Sequence, residues 1–287
     1  MDCRWLSLTS VPERIPPNIE RLDLSRNQIV NLPGDIFSRN INIRILNLGK
    51  NKIRELPRNV FTSLVNIKRL YVYSNQISEI LPGTFDGLFY LESLQLSNNK
   101  LKTLPPNLFD QVFGLKYLSL QRNSITSLPN KLFDRTILLK RLQLYGNELM
   151  ELQSGMFNEA ISLQYLALHE NNLSQLASGV FSGLSDLEKL TLNDNDIVDL
   201  ESNLLSGLSK LKLLDISRNG ISSLPPGFLS SLSVENIRMV KLFQNPLVCS
   251  CQLYKEVEPL KSKIWGTCNG NIKISLMTSQ GYCEKSI

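Results

Sequence analysis

The side chains best placed to do chemistry in this chain are amides. Nine asparagines, Asn27, Asn51, Asn75, Asn99, Asn123, Asn147, Asn171, Asn195 and Asn219, stand at an unbroken interval of 24 residues, and Asn245 follows after 26. A carboxamide both donates and accepts hydrogen bonds, so a column of them is suited to satisfying backbone groups rather than to moving protons. The acid–base equipment is meagre by contrast. There is one histidine, His169, and no Gly-rich phosphate loop, so a nucleophile and base are hard to pair. Carboxylates such as Asp194 and Asp215 could face each other across neighbouring strands, but on an open sheet they are expected to be merely solvated. The chain reads as a non-enzyme that needs no cofactor.

Cysteines are the second reactive set. Cys3 stands alone near the start, no cysteine follows for 245 residues, and Cys249, Cys251, Cys268 and Cys283 crowd into the last 39. Such a cluster is expected to be a disulfide-stapled module, which places the chain outside the reducing compartments. Cys249 and Cys251 are too close to bridge comfortably, which leaves two interlaced pairings. The spacing lacks the Cys-x(2-4)-Cys knuckle of a zinc site, so no metal is expected.

Elements that hold the asparagines follow from the apolar frame around them. Apolar residues stand five and three positions before each asparagine, two after and ten after, as Leu70, Val72, Ile77 and Phe85 around Asn75, or Leu118, Leu120, Ile125 and Phe133 around Asn123. Leu-x-Leu is the period of a strand with one row turned inward and the alternate row in solvent. Each asparagine then sits where the chain leaves its strand, bonding the backbone of neighbouring turns, where an unpaired group would cost roughly 1 to 3 kcal/mol. The tenth position is Phe37, Phe61, Phe85, Phe109, Phe133, Phe157 and Phe181, then Leu205 and Leu229. These form a core spine, with about 1.5 to 3 kcal/mol gained per buried side chain.

Repetition at this period means one elongated, additive domain. The net charge is +5 and the pI is about 8.9, with both signs interspersed, so no nucleic-acid footprint is indicated. No apolar run approaches a membrane span. Met1 leads straight into Asp2 and Cys3 without a secretory leader, so the chain is read as a mature or trimmed ectodomain.

The tail Asn245-Pro246-Leu247-Val248-Cys249-Ser250-Cys251, with Cys268 and Cys283, resembles the C-terminal cap of extracellular leucine-rich-repeat proteins. The head, Asp2-Cys3 and then Leu8 to Pro16, is similar to the end of the matching N-terminal cap. Uniform repeats carrying Leu-Pro-x-x-x-Phe (Leu32 to Phe37, Leu56 to Phe61, Leu104 to Phe109, Leu128 to Phe133) most resemble the variable lymphocyte receptors of jawless vertebrates. Platelet glycoprotein Ib alpha, Slit, the Nogo receptor and toll-like receptor ectodomains share the frame. The resemblance implies an α/β repeat fold, a right-handed leucine-rich-repeat solenoid with a parallel concave β-sheet and two caps. The boundaries are a partial N-terminal cap at 1–18, repeats at 19–244 (nine regular and a longer last one) and a C-terminal cap at 245–287. It also implies the bridges Cys249–Cys268 and Cys251–Cys283. Cys3 matches only the last of the four cysteines usual in the N-terminal cap, and the tryptophan usual after Cys-x-Cys is absent.

Function is expected on the alternate strand row, six, four and two residues before each asparagine, where the residues vary while the frame does not. Five of the eight tyrosines and the only histidine fall there. The expected ligand contacts are Arg69, Tyr71, Tyr73, Gln95, Tyr117, Gln121, Arg141, Gln143, Tyr145, Tyr165, His169, Lys189 and Asn193. Tyrosine gives large amphipathic contact at low entropy cost and, with Arg, dominates recognition hot spots. His169 is read as a polar contact rather than a pH switch. Asn172-Leu173-Ser174 is a glycosylation sequon on the exposed side of a turn. The chain is expected to be a secreted or surface-anchored immune receptor for a protein or carbohydrate antigen, microbial surfaces included. A cell-adhesion or matrix-binding protein is the alternative. A monomer is expected, with a dimer as the second option.

Overall fold

The computed structural model describes residues 1–283, in two compact units, Met1–Glu148 and Leu149–Ile287. Unit 1 holds six three-residue strands: β1 (Arg21–Asp23), β2 (Ile45–Asn47), β3 (Arg69–Tyr71), β4 (Ser93–Gln95), β5 (Tyr117–Ser119) and β6 (Arg141–Gln143). They pair in chain order, all parallel, and the register puts Leu22, Leu46, Leu70, Leu94, Leu118 and Leu142 in one buried row. A shift of one repeat between partners is what an invariant frame dictates, because a one-residue slip would turn the leucine row outward. Residues 1–3 extend this sheet beyond β1: Cys3 N–H donates to Asp23 O at 2.8 Å and Asp23 N–H to Met1 O at 3.0 Å.

Each coil leaves its strand through a left-handed residue. Arg26, Lys50, Ser74, Asn98, Arg122, Glu170, Asp194, Arg218 and Gln244, each one before a ladder asparagine, have φ between 52° and 60°. An L-residue there costs roughly 1 to 2 kcal/mol, and the next coil holds it in place. Arg122 N–H donates to Tyr145 O at 2.9 Å and Asn98 N–H to Gln121 O at 3.0 Å. Behind the strands, Phe61, Phe85, Phe109 and Phe133 are buried and stack with centroids 6.3 to 6.5 Å apart.

Unit 2 continues the pattern with β7 (Tyr165–Ala167), β8 (Lys189–Thr191), β9 (Leu213–Asp215) and β10 (Met239–Lys241), parallel and in register. Its Phe157 and Phe181 stack at 6.4 Å. An additional parallel strand, β11 (Ile264–Trp265), pairs with β10 through Val240 and Ile264. Ten strands were expected from the repeats, and this one lies inside the C-terminal module. It is reached after helix α1 (Cys251–Val257), whose N-cap Ser250 side chain accepts from Leu253 N–H at 3.1 Å, and a 3-10 stretch over Glu258–Lys263. Leu253, Val257, Leu260, Ile264 and Ile274 bury a small core against the last coil. Glu256 of α1 accepts the Gly227 N–H at 2.7 Å. A hairpin, β12 (Thr267–Cys268) with β13 (Ile272–Lys273), and helix α2 (Ser279–Tyr282) complete the unit. Disulfides join Cys249 to Cys268 and Cys251 to Cys283, and Cys3 is a buried thiol.

Candidate functional site

The ladder asparagines supply a common hydrogen-bond pattern on which the open row depends. In unit 1, Asn123 Nδ2 donates to Leu120 O of its own coil at 2.9 Å and to Leu96 O of the coil before at 3.1 Å, while its Oδ1 accepts Leu101 N–H at 3.1 Å. Asn51, Asn75, Asn99 and Asn147 repeat this pattern there. Asn27 turns its Oδ1 to Leu6 and Leu8 N–H of the N-terminal segment. In unit 2, Asn195 and Asn219 bridge coils similarly, and Asn171 accepts Leu149 N–H at 3.1 Å. Asn245, at the longer step, also bridges, to Ile216 O and Leu242 O.

The alternate row is less solvated than strand alternation alone suggests. Asp23, Ser25, Ser97, Ser119, Ala167, Thr191, Asp215 and Ser217 all belong to it, and all are buried. Small side chains in a sheet of short strands ~4.8 Å apart are overhung by longer neighbours. The two aspartates are buried for a second reason, because Asp23 Oδ1 accepts both Ser25 N–H and Ser25 Oγ–H (3.1 and 2.7 Å), and Asp215 treats Ser217 the same way (3.2 and 2.6 Å). These Asp-x-Ser triplets tie down the strand exit. Asp215 is therefore not a solvated carboxylate, and it sits 3.0 Å from Lys241 Nζ; Asp194 stays half-buried, 3.3 Å from Arg218, and accepts from Asn193 Nδ2 at 2.6 Å.

Besides Arg21, Ile45, Asn47 and Ser93, what remains accessible in unit 1 is a cluster of Arg69, Tyr71, Tyr73, Gln95, Tyr117, Gln121, Arg141, Gln143 and Tyr145, half-buried except for the two exposed arginines at 69 and 141. Tyr117 Oη–H donates to Gln143 Oε1 at 2.6 Å, and Ser119 Oγ–H to Gln121 Oε1 at 2.6 Å. Burial raises the Tyr117 phenol above its ordinary pKa, against Ser119 and the charge of Arg141. The Tyr73 ring lies across Gly49, where a Cβ would stand 2.5 Å from Tyr73 Cε1. Glycine at 49 thus lets the ring lie flat on the sheet, a role that repeat spacing could not reveal.

Unit 2 places Tyr165, His169, Lys189 and Asn193 on its own row, all half-buried. Lys189 Nζ stands 5.0 Å from the Tyr165 ring centroid, a cation–π arrangement, and His169 Nδ1 is 2.9 Å from Thr191 Oγ1. Burial lowers the His169 pKa below the usual imidazole value; Glu170, Asp194 and Asp215 pull the other way. Further along, Phe243 and Trp265 line an open groove of about 430 Å³ with Lys273 and Thr267. Trp265 was missed because a two-residue strand outside the repeat carries no frame to find it by. Asn172 is exposed beside its ladder neighbour, with its N–H bonded to Leu149 O at 2.9 Å. Among the described residues no group of His, Cys, Asp and Glu side chains gathers for a metal, and no helix is long and apolar enough to cross a membrane.

The leucine rich repeat family model matches residues 17–77, 66–125, 89–149, 137–197 and 185–247. No curated protein sequence matches significantly. Among solved structures, a chain of the octameric complex of latrophilin 3 (Lec, Olf), Unc5D (Ig, Ig2, TSP1) and FLRT2 (LRR) is 26% identical, with a TM-score of 0.73 over 96% of this chain and 94% of that one. The TLR13–ssRNA13 complex offers a chain that is 24% identical, again with a TM-score of 0.73, over 87% of this chain but only 39% of that one. The second likeness is one of fold alone.

Proposed function

This chain belongs to the leucine-rich-repeat family, and from that premise we propose that it is a non-catalytic, extracellular recognition module that captures a protein or carbohydrate ligand on the open row of its strands. The observation that carries the reading is the contrast within each coil. Frame residues are nearly constant and fully buried, while the alternate row varies and concentrates tyrosine, arginine and glutamine. Tyrosine merely suits exposed strands, which accounts for one or two. It does not account for Tyr71, Tyr73, Tyr117 and Tyr145 standing together in unit 1, three of them with an arginine in the same row triplet. Affinity comes from burying these rings and specificity from the polar groups held beside them, such as Gln143 under Tyr117. The disulfides support work outside the cell, secreted or surface-anchored, and the ligand is an antigen if the role is of the immune type.

A second reading, cell-surface adhesion, is favoured by one observation: the structural neighbour matched over nearly its whole length is found in a complex of latrophilin 3, Unc5D and FLRT2. Arrays of extracellular protein domains and of glycans, including microbial ones, probed with the purified chain separate the two. Tyr73→Ala with Tyr145→Ala should weaken any specific hit at least about thirtyfold, the hot-spot threshold of 2 kcal/mol. Glu55→Ala with Glu79→Ala, on exposed positions after the strands, should change it little. Equal affinities for both double variants refute recognition by this row.

A further inference from the structure

Unit 1 carries a second ordered surface, on the loops that lead into the strands. Fourteen residues after successive ladder asparagines stand Ile41, Val65, Phe89, Phe113 and Ile137, each 45 to 51% exposed, with Tyr90 beside them at 62%. Phe89 and Phe113 stack at 6.0 Å with their planes 9° apart. Nothing in the coil requires an apolar residue there, because after Ile161 the same position is Ser185, Ser209 and Ser233 in successive repeats. The backbone beneath is fixed from coil to coil: Asn66 Nδ2 donates to Ile41 O at 3.0 Å and Gly114 N–H to Phe89 O at 3.2 Å. The six side chains expose on the order of 600 Å², the aromatic ones contributing over half. That is at the top of what monomers usually show in one patch. It is also most of the ~800 Å² per partner of a stable complex, before the polar flanks are counted.

We propose that this stripe is the interface of a symmetric dimer of the chain, with the two-fold axis running along the stripe so that each apolar residue meets its own copy. Charge selects this partner and this axis. The chain crosses the stripe once per coil. Three residues before it come Asp86, Asp110 and Asp134, and three after it come Lys68, Glu92, Lys116 and Lys140 in successive coils. Rotation about an axis along the stripe exchanges the two flanks, so Asp110 of one copy faces Lys116 of the other and Asp134 faces Lys140. An axis across the stripe would instead lay lysines on lysines and carboxylates on carboxylates. Asp86 meets Glu92, but Glu92 is already shared by Lys68 at 3.7 Å and Lys116 at 3.3 Å. Arg135 adjoins Asp134 in the chain, so the Asp110–Lys116 pair is the cleaner test.

Sedimentation equilibrium over about 0.1 to 100 micromolar should show the mass rising from 32.5 kDa towards twice that value. Phe89→Ser with Phe113→Ser introduces the residue that later coils already carry at this position, so the fold should persist by circular dichroism while the dimer constant weakens at least about thirtyfold. Lys116→Glu should weaken it about tenfold, and adding Asp110→Lys should restore it. Phe113→Cys should cross-link to itself under mild oxidation, the wild type with its buried Cys3 serving as control. A wild type that stays monomeric throughout overturns the proposal, as does a dimer indifferent to the serine pair. Cross-linking of Ile41→Cys with Ile137→Cys, and not of Phe113→Cys with itself, overturns the axis. Failure here would leave recognition by the strand row untouched, since the stripe lies outside the strands.

Discussion

Replacing Asn123 by Ala removes three hydrogen bonds, but the cost is set by how many backbone groups it strands. Leu96 O, one of its acceptors, also receives Asn99 Nδ2 at 3.0 Å, and Leu120 O also receives Asn147 Nδ2 at 3.1 Å. Both carbonyls therefore keep a donor. Only Leu101 N–H is left with no partner, so the expected loss is about 1 to 3 kcal/mol rather than three times that. The shared carbonyls make a sharper prediction. In Asn123→Ala with Asn147→Ala, Leu120 O loses both donors, so the pair should cost about 1 kcal/mol more than the sum of the singles. Asn75→Ala with Asn147→Ala, which share no carbonyl, should be additive. Urea unfolding followed by circular dichroism gives each value, with the slope m checked for constancy because repeat arrays can lose two-state behaviour. Gln121→Ala is the control, losing only the Ser119 hydroxyl bond, at no more than about 1.5 kcal/mol. An additive Asn123 and Asn147 pair, or a control costlier than Asn123→Ala, would refute the shared-acceptor account.

Opening the Cys249–Cys268 bridge with Cys268→Ser should loosen the C-terminal module by roughly 2 to 5 kcal/mol, read as faster amide exchange at Leu253 and Val257 with the coils of unit 1 unchanged. Gly49→Ala should displace the Tyr73 ring, since the new methyl would stand 2.5 Å from it; an undisturbed Tyr73 ring signal by NMR would contradict the flat packing. His169, the one histidine, should titrate below the usual 6.5 because its burial disfavours the charged form. The unfolded chain then takes up the proton first as pH falls, so this group's contribution is complete above about 6.5 and declines as the pH drops below it. Its imidazole protons report the midpoint directly, and a value above 6.5 would contradict the assignment. Cys3 is buried with its pKa raised by desolvation, so alkylation at neutral pH should follow unfolding rather than precede it.

Periodicity exposed the strands, their register and the phenylalanine spine because those features are the repeat: a leucine at Asn−5 has nowhere to go but inward when its neighbours at 24-residue spacing do the same. What the period cannot carry is whatever differs between coils or lies outside them. Asp23 and Asp215 look like any exposed polar residue of the row, yet the serine two positions on draws each into the strand exit. Gly49 is legible only once Tyr73, a full coil later, is known to lie across it. The left-handed residue before each asparagine is invisible for the opposite reason. Its conformation is constant while its type runs through arginine, lysine, serine, asparagine, glutamate, aspartate and glutamine, with glycine only at Gly146, so the coil-to-coil hydrogen bond, not the side chain, enforces it. That inverts the usual inference in which a positive φ announces itself as glycine. The same division applies to function. The frame is insulated from selection for a ligand because every member of it is buried, and the row is free to vary because its small members are sheltered by their neighbours while the large ones are not. The binding surfaces proposed above are read from the residues that depart from the repeat, and in unit 1 those are the tyrosines of the strands and the apolar stripe, whose position is serine in three of the later coils.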